Sequence, residues 1–134
     1  MSADQKTYIT CSLNSNLYLL DVMTGKILNV YNDLIHYHHQ TYKSEAVFHS
    51  NNKHIIGGSE NGSIVLWDII TAKVDLIIPI TSSSASSNFD TRDNKNQSKA
   101  ISSLSMHPMK PMIISSSYDG TAKIWDEENE TIAS

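Results

Sequence analysis

The amino-acid sequence predicts an all-β chain of repeated antiparallel units, on three observations. Short runs rich in β-branched and aromatic residues recur along it, bounded by Gly, Asn, Asp, Ser or Pro. Three stretches read alike: Ile9-Thr-Cys-Ser-Leu-Asn-Ser-Asn-Leu-Tyr-Leu-Leu-Asp21, Ile56-Gly-Gly-Ser-Glu-Asn-Gly-Ser-Ile-Val-Leu-Trp-Asp68 and Ile114-Ser-Ser-Ser-Tyr-Asp-Gly-Thr-Ala-Lys-Ile-Trp-Asp126. Their closing aspartates lie 47 residues apart (68 minus 21) and 58 apart (126 minus 68), against the roughly 40–45 residues over which a four-stranded unit repeats.

Taken in order, Lys6–Cys11 alternates and carries the β-formers Tyr8, Ile9 and Thr10, which predicts a strand. A turn at Leu13-Asn14 leads to a strand over Asn16–Leu20, and a turn at Gly25 to another over Lys26–Tyr31. Asn32–Tyr42 is a polar connection with His36, His38 and His39. The next unit has strands at Ser44–Phe48, His54–Gly58, Ser63–Trp67 and Lys73–Ile80, with a hairpin at Asn61-Gly62, where both residues tolerate positive φ. Thr81–Lys99 is Ser-rich with Phe89 as its one large apolar residue; it buries too little to offset its ordering entropy and reads as a disordered insertion. Strands resume at Ala100–Met106, Met112–Ser116 and Thr121–Trp125, with Pro108 and Pro111 in the intervening turn. Alternation puts apolar side chains on both faces of Ile64–Trp67, as a sheet covered on both sides requires.

The 134 residues suffice for one domain with a core. A net charge of -4 gives no reason to expect direct binding to nucleic acid or to an anionic membrane. The single cysteine, Cys11, allows no intrachain disulfide and points to an intracellular setting. The first residues lack an apolar signal segment, and no run approaches about 18 apolar residues, so neither leader nor span is expected. The triplets at Asn61, Asn96 and Asn129 are then chance glycosylation matches.

The segments Gly58–Asp68 and Ser117–Asp126, each with turn, alternating strand and closing Trp-Asp, resemble WD repeats, with a degenerate third copy ending Leu20-Asp21. The resemblance implies a partial β-propeller of about two and a half to three four-stranded antiparallel blades, with blade segments near 6–31, 44–80 and 100–134 and the insertion at 81–99. The first blade is expected to lack its first strand and the third its fourth, as in a C-terminal piece of a larger propeller. Trp67, Asp68, Ser115, Asp119, Trp125 and Asp126 occupy the structural repeat positions. Two departures stand out. No Gly-His dipeptide is present, so the family's His–Asp–Ser–Trp network cannot be complete, and Asn61, Asn14 and Gly57 stand where its Asp and Ser would be. Trp67 is therefore expected to be held by packing between blades.

The resemblance also implies function: a non-enzymatic protein–protein scaffold in cytoplasm or nucleus, without cofactor. The order of features is similar to the last three repeats of a WD-repeat organiser of kinase signalling that also occurs with the splicing machinery. The alternative is a peptide or histone-tail reader, for which the channel strands offer Glu45 and Phe48. The connections 32–43 and 81–99 should project from one face, with Tyr37, Tyr42, Phe89 and Arg92 as candidate partner anchors. Phosphorylation of Ser82–Ser87 could charge that face, or the insertion could be a bland one. No metal is expected: the three histidines lack a Cys or acidic cluster beyond Asp33, and a solvated loop explains them. No catalytic residue is expected either; His107 belongs to a turn, Gly25-Lys26 lacks the rest of a phosphate loop, Gly57-Gly58 are small residues in a crowded strand, and Cys11 is a core residue. Open blade edges should make the isolated chain self-associate.

Overall fold

The computed structural model describes residues 1–78 and 100–126 and the backbone of a strand at 132–133. Eleven strands occur among them: β1 (Thr7–Ser12), β2 (Asn16–Asp21), β3 (Ile27–Tyr31), β4 (Ala46–Phe48), β5 (His54–Gly58), β6 (Ile64–Asp68), β7 (Val74–Ile78), β8 (Ile101–Met106), β9 (Met112–Ser117), β10 (Ala122–Asp126) and β11 (Ile132–Ala133). They form three antiparallel meanders, β1-β2-β3, β4-β5-β6-β7 and β8-β9-β10-β11. The first blade has three strands, as the sequence predicts. The third has four: Ile132 pairs with Ile124 and Ala133 with Lys123, a strand that the short apolar signal beyond Asp126 did not announce. The Ser-rich insertion, Phe89 and Arg92 lie outside the described residues.

The blades stack through two apolar seams, and β6 supplies both. Leu17, Leu19, Tyr31, Tyr37, Ile55, Val65 and Trp67 bury together between the first and second blades. Ile56, Ile64, Leu66, Ile101, Leu104, Ile113 and Trp125 bury together between the second and third. Period-2 alternation sends Val65 and Trp67 one way and Ile64 and Leu66 the other. Each fully buried aliphatic side chain removes enough apolar surface from water to contribute about 1.5–3 kcal/mol.

Turn side chains hold the strand ends, and they repeat from blade to blade. Asp21 Oδ1 accepts the N–H groups of Met23 and Thr24 at 2.8 and 2.9 Å. Asp68 Oδ1 accepts those of Ile70 and Thr71 at 2.9 and 2.8 Å. The carboxylates that close the first two repeats thus cap the turns that follow them, satisfying N–H groups the ladder leaves free. Asn14, Asn61 and Asp119 do the same one turn earlier, each accepting the N–H two residues on at 3.1, 2.9 and 2.9 Å. His107 Nδ1 accepts the N–H groups of Met109 and Lys110, and His49 Nδ1 that of Asn51, all at 3.0 Å, which makes both imidazoles turn caps.

The two glycines of β5 mark where the blades come closest. A Cβ on Gly58 would lie 2.4 Å from Ile101 Cγ2 and 2.6 Å from Ile101 Cβ, across the seam to the third blade. A Cβ on Gly57 would meet Trp67, Leu17 and Tyr37 at 3.0–3.1 Å. Overpacking of this kind costs about 1–3 kcal/mol. Gly58→Ala is expected to destabilise the chain within or above that range, and more than Gly57→Ala does, in denaturant melts followed by Trp fluorescence. Equal or opposite ordering would mean the second and third blades do not meet as closely as here.

Candidate functional site

The connection 32–43 is anchored at several points, and its anchors come from both flanking blades. Tyr37 is 0% exposed and stands edge-on to Trp67, with ring centroids 5.1 Å apart. Its assignment as a partner anchor is therefore corrected: it is a core residue, drawn in because Gly57 leaves room for its ring beside the indole. Trp67 is held by more than packing, since its Nε1 donates to the Asn32 carbonyl at 3.2 Å. The connection thus supplies both the stacking ring and the acceptor that the absent network would have provided. From the facing strand, Tyr31 Oη donates to the Ile69 carbonyl at 2.6 Å, and Asn29 Nδ2 to the same carbonyl at 3.0 Å.

The three loop histidines point apart. His36 Nδ1 faces Asp33 Oδ2 at 3.2 Å, His38 Nε2 faces the Ile35 carbonyl at 3.2 Å, and His39 is 3% exposed. The solvated-loop reading is therefore wrong for His39, which Ser15 and Ser44 enclose: its N–H donates to Ser15 Oγ at 2.9 Å, and its Nε2 accepts the Ser44 N–H at 3.2 Å. With Nε2 accepting, the neutral ring carries its proton on Nδ1, a buried atom without a hydrogen-bond partner among the described residues.

Glu60, from the β5–β6 turn, pins the other end of the connection. Its Oε1 accepts the N–H groups of Gln40 at 2.6 Å, of Thr41, and of Tyr42 at 2.8 Å. Partial burial works to raise its pKa, but the hydrogen bonds from Thr41, Tyr42 and Gln40 outweigh it and hold the carboxyl below its ordinary range. Sequence reasoning passed over Glu60, because a Glu in a hairpin turn carries no signal for a clamp 18–20 residues upstream.

What this clamp presents is an aromatic pair. Tyr42 is 39% exposed and Tyr118 49% exposed, with centroids 5.3 Å apart and rings tilted by 42°. Tyr118 Oη donates to the Lys43 carbonyl at 3.0 Å, tying the β9–β10 turn to the connection. Leu34 and Ile35, on the same connection, are also exposed. Of the four expected anchors, the structure thus leaves Tyr42 at the surface, buries Tyr37 and does not describe Phe89 or Arg92. It adds Tyr118, which looks in the sequence like an ordinary turn residue.

At the repeat positions, Trp125 Nε1 donates to Ser115 Oγ at 2.9 Å, as a partial network requires. Asp119 does not extend that bond; its Oδ1 accepts from Thr121 N and Thr121 Oγ1 at 2.9 and 2.6 Å. Glu45 Oε2 accepts from Ser103 Oγ at 2.8 Å, and Phe48 packs against the first seam. His54, Asp68 and Asp75 bring ligand-type atoms within 4.8 Å of one another. Hydrogen bonding occupies the imidazole: Asn51 Oδ1 accepts the Lys53 and His54 N–H groups, so Asn51 Nδ2 donates to His54 Nδ1 at 2.8 Å, and the ring's proton sits on Nε2, 2.7 Å from Asp75 Oδ2. A metal on Nε2 would have to displace that proton with no acceptor left to receive one at Nδ1.

Burial pushes the Cys11 thiol up to about 11, which suits a core residue and not a nucleophile. The folded chain holds this proton above pH 9, where the unfolded chain releases it. Stability is therefore expected to fall as pH rises from about 9 to about 11. Tyr31, pushed up to about 12 by burial, adds to the fall above pH 10. Cys11→Ala should flatten the part between pH 9 and 10 in urea melts; an unchanged slope would remove the thiol from the seam.

Comparison with known proteins places this geometry. The family model described as WD domain, G-beta repeat matches residues 33–68 and 91–126, together more than half of the chain. The chain is 26% identical over 132 residues to WD repeat domain-containing protein 83 of Danio rerio, covering 98% of this chain and 36% of that protein. It is 27% identical over 127 residues to the Homo sapiens protein of the same name, covering 95% and 34%. An uncharacterized WD repeat-containing protein of Schizosaccharomyces pombe is 40% identical over 58 residues, covering 43% of this chain and 18% of that protein. The chain spans about a third of the length of the WD repeat domain-containing protein 83 relatives.

Proposed function

Because the chain belongs to the WD domain, G-beta repeat family, we propose that it is a non-enzymatic protein–protein interaction scaffold serving kinase-signalling or pre-mRNA splicing complexes, in the cytoplasm or nucleus. The resemblance of the repeat order to an organiser of that kind supports the finer reading. The observation that carries the scaffold reading is the Tyr42–Tyr118 pair. Two half-exposed rings, fixed by Glu60 and by the Lys43 carbonyl, offer apolar area at little entropic cost, which is what an anchor at a protein interface needs. A net charge of -4 favours protein partners over nucleic acid or anionic lipid. No helix of the described residues is long and apolar enough to cross a membrane.

The test is affinity purification of the chain, with and without Tyr42→Ala plus Tyr118→Ala, read by mass spectrometry. Kinases or splicing factors should be recovered by the parent and lost at least severalfold by the variant. Recovery of chromatin subunits instead would overturn the finer reading, and undiminished capture by the variant would overturn the face.

The same architecture supports self-association as a proposal. Tyr8, Tyr18 and Leu20 occupy, on the first blade, the positions by which the second blade receives its neighbour, and Ile114 and Ile124 on the third occupy those by which it is received. Copies are expected to stack head to tail through these faces. Light scattering at micromolar concentration should give a multiple of the single-chain mass; a single-chain mass would count against it.

A further inference from the structure

The turns that follow β2 and β6 are copies of one another. Asp21-Val-Met-Thr-Gly-Lys26 and Asp68-Ile-Ile-Thr-Ala-Lys73 share their aspartate, threonine and lysine, with a large apolar residue in third place. Their main-chain bonds match as well. Gly25 N donates to the Asp21 carbonyl at 2.8 Å and Ala72 N to that of Asp68 at 3.0 Å, and both residues turn the chain back at positive φ, +70° and +58°. Each turn also leans on the lysine that precedes the first strand of its hairpin. Val22 N donates to the Lys6 carbonyl and Ile69 N to the Lys53 carbonyl, both at 2.9 Å.

This conformation sends the third residue outward. Met23 is 90% exposed and Ile70 88%, the two most exposed large apolar side chains among the described residues. Ile69, one residue earlier, packs against the first seam instead. Each tip is bracketed by two exposed lysines, Lys6 and Lys26 or Lys53 and Lys73, and no carboxylate of the described residues lies within ion-pairing distance of any of the four. The carboxylates at this end are engaged otherwise: Asp21 and Asp68 with their turn N–H groups, Asp4 with Ser2, and Asp75 with His54. The tips are also fixed relative to one another. Asn29 Nδ2, from β3, donates to the carbonyls of Ile69 and Ile70 at 3.0 and 3.3 Å, so the first blade holds the second blade's turn. Both tips lie at the opposite end of the strands from Glu60 and the Tyr42–Tyr118 ledge.

We propose that these two turns dock an acidic segment of a partner protein, with one apolar side chain on Met23, a second on Ile70, and carboxylates reaching the lysines beside them. Charge complementarity selects the occupant: four unpaired ammonium groups around two apolar tips ask for acids around two apolar residues. The turns are pinned by their own hydrogen bonds, so little ordering opposes the docking. Stacked sheets lie about 10 Å apart, and residues four apart on an extended chain share a face and are separated by about 13 Å, so one short segment spans both tips. An anionic bilayer fits less well. Asp21 and Asp68 stand two residues before the tips, held ionised by hydrogen bonds, and a uniformly negative plane would bring like charge against them. The side chains of a peptide meet each lysine separately.

The probe is a synthetic peptide, Glu-Leu-Asp-Glu-Asp-Leu-Glu with blocked ends, titrated into the ¹⁵N-labelled full chain. Amide signals over 22–26 and 69–73 should shift together, and added salt should weaken the binding. The same peptide with its acids replaced by Asn and Gln, or with its leucines replaced by serine, should bind about tenfold more weakly or worse. Met23→Ser plus Ile70→Ser, and separately Lys26→Gln plus Lys73→Gln, should each cost the chain as much affinity for the parent peptide. These side chains are exposed, so the amide spectrum away from the two turns should stay as it was. No shifts at millimolar peptide, equal binding of the uncharged peptide, or shifts confined to the Tyr42–Tyr118 ledge would each overturn the proposal. So would capture of the chain by vesicles of phosphatidylserine and phosphatidylcholine without binding of the peptide.

Discussion

Trp67 stands edge-on to Tyr37 over the bare Cα of Gly57, and the first two blades are organised around that contact. Edge-to-face aromatic geometry contributes about 0.5–1.5 kcal/mol beyond the area it buries. The placement has wider consequences than that energy. A tyrosine from a loop fills the seam, so the loop cannot leave without opening the core. Asn32 then accepts the indole N–H, His38 N donates to Ser59 Oγ at 2.8 Å, and Glu60 gathers three backbone N–H groups at the far end. The exposed Tyr42–Tyr118 ledge is the outer rim of a segment whose inner residues belong to the core.

The same seam shows how the second blade manages without the family's network. In the third blade the Ser115 hydroxyl receives the Trp125 indole N–H directly. At Gly57 a serine would be crowded, since its Cβ would lie 3.0–3.1 Å from three side chains, which would have to give way. Loss of the hydroxyl and gain of the ring are one exchange. A buried indole N–H without an acceptor costs about 1–3 kcal/mol, so the exchange required a new acceptor as well as a new ring. A backbone carbonyl, the one at Asn32, supplied it.

This explains what could be read from the sequence and what could not. Period-2 alternation and the Asn/Asp/Gly turns are local signals, and they placed most of the strands within a residue or two. The two-faced β6 was legible because Ile64–Trp67 has no polar residue on either side. Tyr37 was misplaced because, in a polar loop among histidines, composition argues for the surface; what buries it is the missing side chain at Gly57, 20 residues on. Glu60 and Tyr118 were invisible for the same reason, since their partners at 40–43 are close only once the blades stack. The fourth strand of the third blade rests on two residue pairs, too short to show a period.

The unequal ends of the stack follow from a repeat whose two faces differ. The second blade offers one neighbour its Trp-bearing face and the other a face of Ile and Leu, so the inner seams are made of unlike halves. The first blade keeps a Trp-type face uncovered, but with Leu20 in place of Trp and Tyr18 in place of Val65. The third keeps an Ile/Leu-type face uncovered, softened by Ser116 where the second blade has Gly58 and by Ala122 where it has Ile64. Substitutions toward smaller or more polar groups leave these two faces less apolar than the inner seams.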